Sequence, residues 1–192
     1  MNYRNNRGAQ RTKAALQRSF FELATTKPLR RITVNELAEK SGVSRGTFYT
    51  HYHDVFELAE SIGNELIAQL DAILSQALAT CEDPLRFPMA RDALEFIVQH
   101  RIEVRIFLVD CIEPGFIDKA DELIRRHVIT ALSKNLGSFK QDAGHLAESY
   151  IASGVIGLIC SWVAHGCEAD IDEMTHLMGL LITRGASGLI DE

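Results

Sequence analysis

Thr33-Val34-Asn35-Glu36-Leu37-Ala38-Glu39-Lys40-Ser41-Gly42-Val43-Ser44-Arg45-Gly46-Thr47-Phe48-Tyr49-Thr50-His51-Tyr52 carries two short helix signatures back to back. Thr33 and Glu36 stand at capping-box spacing, a hydroxyl for the N3 amide and a carboxylate reaching back, so a helix starts at Val34. Ile32 and Leu37 take the flanking staple positions, and Val34, Leu37 and Ala38 recur at i, i+3, i+4 as an inward face. Gly42 ends the helix where a left-handed residue avoids a Cβ clash. Ser44 is a good N-cap, and Val43 with Phe48 repeats the staple, which predicts a second helix over about Arg45 to His51 anchored by Phe48. Arg45, Gly46, Thr47, Tyr49, Thr50 and His51 are left for solvent, a small hydrogen-bonding surface with one cation. Two helices joined by so tight a turn read as a helix-turn-helix, whose second helix suits a major groove.

Outward from this stretch, the charge is segregated. The 192 residues carry a net −6. Residues 1–53 hold ten Lys/Arg and three Asp/Glu, a net of +7, whereas residues 54–192 hold ten Lys/Arg and twenty-three Asp/Glu, a net of −13. The first part has the electrostatic footprint of a phosphate binder, and the acidic remainder turns that end alone toward DNA. A basic solubilising tail would give the same charge without the helix-turn-helix pattern. Before the motif, Leu16, Phe20, Leu23 and Ala24 sit at helical spacing in a helix ending near Lys27-Pro28. In front of it, Arg4, Arg7 and Arg11 form an arm able to reach a minor groove or a phosphate.

After the motif, Asp54-x-x-Glu57 starts a long helix whose apolar stripe runs from Leu58 to about Ala79. It begins beside the second motif helix, so a tilt at its far end would carry the helix-turn-helix with it. A break at 81–84 precedes a helix over about Pro88 to His100 and a shorter one to Cys111. Pro114 is expected to open the next, which stops near Gly137. From Tyr150 to Ala164 the chain is apolar or small on every side. Such a helix is buried on more than one side, and at about fifteen residues it is too short for a bilayer, as is every other apolar stretch. A final helix from Asp170-x-x-Glu173 should pair with it, placing Ile151, Val155, Leu158, Ile159, Leu177 and Leu181 at a homodimer interface. With 46% apolar residues and few alternating β-branched runs, the fold class is all-α: a three-helix helix-turn-helix DNA-binding domain with a basic arm over 1–53, joined by the long helix to a helical effector-binding and dimerisation domain over 54–192.

Cys81, Cys111, Cys160 and Cys167 form no CxxC pair and lack His at zinc-finger spacing, so no metal is expected. Buried free cysteine is the simplest reading, with a thiol switch between Cys160 and Cys167 as the alternative. No cofactor motif is present, and no Gly-rich phosphate loop, HExxH or Gly-x-Ser-x-Gly supports an enzyme. The polar N-terminus has no signal-peptide core, which suggests a cytoplasmic protein without a membrane partner.

Through Thr33-Val34-Asn35-Glu36-Leu37-Ala38, Ser41-Gly42-Val43-Ser44 and Gly46-Thr47-Phe48-Tyr49-Thr50-His51-Tyr52, the chain resembles the TetR family of bacterial transcriptional regulators over about residues 11–60. The stretch Tyr150 to Ile159, with Trp162, Gly166 and Glu173-Met174, is similar to regulators of the dihydroxyacetone-kinase type. The resemblance implies a dimeric regulator, most often a repressor, that binds double-stranded DNA and answers to a small-molecule effector. It implies phosphate contacts from Thr33 and Tyr52, base-facing Arg45, Thr47 and Tyr49, and His51 near the backbone; the arm, cap and exposed face read above add Arg11, Ser44 and Gly46 to the expected DNA-binding surface. Where relatives often carry Lys at the start of the fourth helix, this chain has Val55, which removes a phosphate contact unless Lys40, His53 or the arm replaces it. The effector pocket is expected among the middle helices, at Phe96, His100, Phe107, Cys111, Phe116 and Trp162, against ordinary core packing for each; His100 and His127 read as partly exposed helix residues. The competing reading is a co-activator or adaptor with a vestigial helix-turn-helix that works through a partner protein.

Overall fold

A computed structural model describes residues 3–80, 88–110, 113, 115–136 and 144–186. The expectations on Cys81, the 81–84 break, Cys111, Pro114 and Gly137 lie outside them. Every regular element among the described residues is helical: α1 (Tyr3–Ala24), a 3₁₀ turn (Leu29–Arg31), α2 (Val34–Ser41), α3 (Arg45–His51), α4 (Val55–Thr80), α5 (Pro88–Gln99), α6 (Arg101–Val104), a π-helical turn (Arg105–Val109), α7 (Gly115–Leu136), α8 (Gly144–Ala164) and α9 (Ile171–Ala186). The all-α expectation holds, and the motif helices fall where capping placed them. One difference lies at the start: α1 begins at Tyr3, so Arg7 and Arg11 occupy one face of a helix, four residues apart, and not an arm.

α4 is the axis of the molecule. It packs against α5 and α7, and α7 in turn against α8. Its Leu58, Ala59, Ile62, Leu66 and Leu74 are buried in one core with Phe20 of α1 and Leu123 of α7. One close approach is at Gly63, where a Cβ would lie 3.1 Å from a Phe116 ring carbon and 3.3 Å from one of Phe107. A mid-helix glycine sacrifices helix propensity; here it lets two aromatic rings rest on the backbone. Phe107, fully buried, also stands 6.4 Å from the rings of both Phe20 and Phe21 and 5.1 Å from that of Phe116. It lies in the π turn, which the Asp110 amide closes by donating to the Arg105 carbonyl at 2.9 Å.

The second strap between α4 and α7 is polar. His127 is buried, correcting the expectation of a partly exposed histidine, because its Nε2 lies 2.6 Å from Asp71 Oδ1 and so finds a partner inside. Arg126 reaches the same oxygen at 2.9 Å. Hydrogen bonding from His127, with Arg126 beside it, holds the Asp71 carboxyl below its ordinary range.

The C-terminal helices depart from expectation in two ways. α8 starts at Gly144, and its Leu146–Ala164 segment, 19 residues at mean hydropathy 1.5, is by length and composition alone long enough to cross a membrane. Ile151, Ala152, Val155, Ile159, Trp162 and Val163 are nevertheless buried within the protomer. α9 leans mainly on α5 and touches α8 less than the expected pairing requires, with Arg91 of α5 bridging to Asp172 of α9.

Gly63→Val forces a branched side chain into the Phe107 and Phe116 rings and is expected to lower stability by about 1–3 kcal/mol, the usual cost of overpacking. Urea unfolding followed by circular dichroism would measure it; an unchanged midpoint would show that the rings yield freely.

Candidate nucleic-acid interface and effector domain

Local hydrogen bonding builds the helix-turn-helix. Thr33 Oγ1 accepts from the Glu36 amide at 3.3 Å, while Glu36 Oε2 accepts from the Thr33 amide at 3.0 Å and from its hydroxyl at 2.8 Å, a complete capping box. Lys27 adds an ion pair to the other oxygen of Glu36, tying the end of α1 to the start of α2. Hydrogen bonds from Lys27 and then Thr33 hold the Glu36 carboxyl down at about 2. Gly42 closes α2 at φ 69°, in the left-handed region. Ser44 Oγ then caps α3 by accepting from the Thr47 amide at 3.1 Å and lies 2.9 Å from the Thr47 hydroxyl.

Phe48 is fully buried beneath α3, and Arg45, Gly46, Thr47, Tyr49 and Thr50 remain exposed. Tyr49 stands half exposed with its ring edge-on to Phe48 at 5.6 Å. The hydroxyls of Thr47 and Thr50 are engaged locally, by Ser44 and by the Gly46 carbonyl at 3.0 Å. The Arg45 guanidinium and the Tyr49 phenol have donors still to offer, as does one hydroxyl of the Ser44–Thr47 pair, on a surface that Gly46 keeps low. His51 is half-buried, and Arg11 is exposed on α1.

Tyr52 corrects an expectation. Its ring is 4% exposed and its hydroxyl is buried without a well-aligned hydrogen bond, so it does not present itself to a phosphate. Burial raises its pKa, against the opposing effect of Ser61. The sequence carried the signal, since Tyr52 stands four residues after Phe48 and so shares its inward face. Lys40 is also committed elsewhere, paired with Glu22 of α1 at 2.8 Å. Val55 is buried at the start of α4, which Asp54 caps by accepting from the Glu57 amide at 2.8 Å. Lys27, which braces the motif, was missed because its partner lies nine residues on, across a loop.

Of the residues nominated for an effector pocket, Phe96 and Phe116 line an enclosed apolar cavity of about 50 Å³ between α4, α5, the π turn, α7 and α8, with Leu70, Leu123 and Ile156. Of the nominated residues that the structure describes, the other three do not line it. Phe107 packs toward α1, His100 sits beside Phe96 and Glu103, and the Trp162 indole donates to the Ala169 carbonyl at 3.0 Å, fastening the α8–α9 turn. Of the nominated interface residues, Leu177 and Leu181 are exposed, Leu158 is half-buried, and Ile151, Val155 and Ile159 are buried, Ile159 beside the small cavity and Ile151 and Val155 along the α8–α9 groove. Between α8 and α9 runs an apolar groove of about 340 Å³, lined by Ile151, Gly154, Val155, Leu158, Met178 and Leu181 among others.

Residues 87–184 match the family model described as the transcriptional regulator C-terminal region of TetR type. No curated protein matches the chain. Among solved structures, a TetR transcriptional regulator from Streptococcus agalactiae is similar at TM-score 0.67 and 18% identity, covering 93% of this chain and 97% of that one. NalD, the secondary repressor of the MexAB-OprM multidrug efflux pump in Pseudomonas aeruginosa, is similar at TM-score 0.68 and 18% identity, covering 97% and 99%. The dihydroxyacetone kinase operon activator DhaS is similar at TM-score 0.65 and 14% identity, covering 94% and 98%.

Because Glu36 is depressed from 4.5 to about 2, its contribution to the motif is complete above pH 4.5 and is lost as pH falls through about 2. Carbon-detected NMR titration of the side-chain carboxyls should place the Glu36 midpoint near 2 and move it upward in Lys27→Met. A midpoint near 4.5 in the unaltered protein would contradict the bridge.

Proposed function

As the chain belongs to the TetR family of transcriptional regulators, we propose that it binds a pseudo-palindromic operator as a homodimer, one α3 per half-site, and represses until a small molecule occupies the C-terminal domain. The observation that carries this reading is α3 itself: a capped helix pinned by Phe48, turning Arg45 and Tyr49 outward from the basic end of the chain. Residues 1–53 serve as the DNA-binding unit of this cytoplasmic protein and residues 54–192 as the effector-binding and dimerisation unit. The two-fold arrangement sets the spacing of the recognition helices, and that spacing must match one helical turn of DNA or a multiple of it. The apolar α8–α9 groove, with Leu177 and Leu181 exposed beside it, supplies the face for the second copy. An effector that favours a dimer with the wrong spacing lowers DNA affinity by its differential binding free energy.

A second reading, a co-activator acting through a partner protein, is favoured by one observation: α4 opens on buried Val55 and brings no charge to a phosphate. The fold is shared with DhaS, which is named for activation of an operon.

Fluorescence anisotropy on duplexes selected from a random library separates the two. Repressor-type binding should be tight and salt-dependent, with Arg45→Ala and Tyr49→Ala each costing about 1–3 kcal/mol through the hydrogen bonds to base edges that they remove. Absence of any selected sequence would move the reading to the co-activator. Light scattering should return twice the 21.4 kDa chain mass; a clean monomer at micromolar concentration would remove the interface.

A further inference from the structure

The short 3₁₀ turn between α1 and α2 holds the charges that the helix-turn-helix leaves unused. In a 3₁₀ helix side chains at i and i+3 eclipse. Leu29 and Ile32 therefore point the same way, and both are buried at 5% exposure. Arg30 and Arg31, between them, are turned outward, and both are exposed. The turn is fixed by the Arg31 amide donating to the Pro28 carbonyl and the Ile32 amide to the Leu29 carbonyl, each at 2.9 Å. Ile32 leads directly into the Thr33 cap of α2, so the two guanidinium groups are anchored within a few residues of the motif's first turn.

Their electrostatic situation sets them apart from their neighbours. Lys27 is neutralised by Glu36 and Lys40 by Glu22, whereas Arg30 and Arg31 have neither an ion pair nor a side-chain hydrogen bond among the described residues. Two adjacent cations held out without partners on a fixed turn raise the positive potential that an approaching polyanion meets. Guanidinium is the side chain best shaped for the paired oxygens of a phosphate.

Resting on the DNA-binding reading above, we propose that Arg30 and Arg31 clamp a phosphate of the operator backbone flanking the bases read by α3, supplying the anchor that buried Val55 does not. The clamp is blind to sequence: it fixes the position of the motif on the duplex and contributes equally at every site.

The test is the salt dependence of DNA affinity in the full chain, for the selected operator and for an unrelated duplex, with Arg30→Gln, Arg31→Gln, the double variant, and Arg30→Lys/Arg31→Lys. Removal of one phosphate-neutralising cation should flatten the slope of log K against log salt by about 0.9, and affinity should fall by the same factor on both duplexes. The Lys variant should keep most of the slope. Arg45→Ala, in contrast, should narrow the gap between operator and unrelated DNA. Unchanged thermal unfolding of the Gln variants would exclude a folding defect as the cause. A double Gln variant with the wild-type slope and affinity, while Arg45→Ala still weakens operator binding, overturns the clamp and leaves the regulator intact. Wild-type protein with no salt-dependent DNA affinity overturns both.

Discussion

The ring of Phe107 is where α1, α4 and α7 meet in one contact. It is fully buried, meets Phe20 and Phe21 of α1 on one side and Phe116 of α7 on the other, and rests on α4 at Gly63. Four elements that read separately in sequence share one close-packed contact, and close-packed contacts respond to displacement in discrete steps and not by gradual yielding. Phe116 belongs both to this cluster and to the wall of the small apolar cavity. The packing of the C-terminal domain and the seating of α1 are therefore not independent. α1 in turn carries the helix-turn-helix through Lys40–Glu22 and through Lys27 at its end.

The electrostatic design of the first fifty residues is more economical than its net charge implies. Part of the positive excess is used inside the unit, on ion pairs that brace α1 against α2. What is left for a polyanion is concentrated on the outward faces of α1, the 3₁₀ turn and α3. Charge counted along the sequence overstates what is offered to a partner; charge counted after pairing shows where it is offered.

Legibility followed the range of the interactions. The caps at Thr33, Ser44 and Asp54 and the left-handed Gly42 are interactions within four residues, and the sequence located the motif helices through them. Helix existence and the outward set on α3 came from periodicity. What escaped was non-local: the Glu22 partner of Lys40, the His127–Asp71 pair across two helices, the Ala169 carbonyl that occupies Trp162, and the preference of α9 for α5. Tyr52 is a different kind of miss. Its inward face was readable from its distance to Phe48, but a tyrosine beside exposed Tyr49 invites the same role for both. The cavity drew in two of the nominated aromatics and left out the rest, because an apolar residue in a core is the same signal whether or not a void lies beside it.

The π turn over Arg105–Val109 gives the helix one residue more than α-helical spacing would place there. Each residue of an α-helix advances its successors by about 100° around the axis. The surplus residue widens the turn, so each position advances by less than that, and Ile106, Phe107 and Leu108, all buried, share a narrower arc of the interior than three consecutive α-helical positions would. A homologue lacking that residue would face the interior with a different triplet, so the length of this segment, as much as its composition, determines which side chains can serve as the joint between α1, α4 and α7.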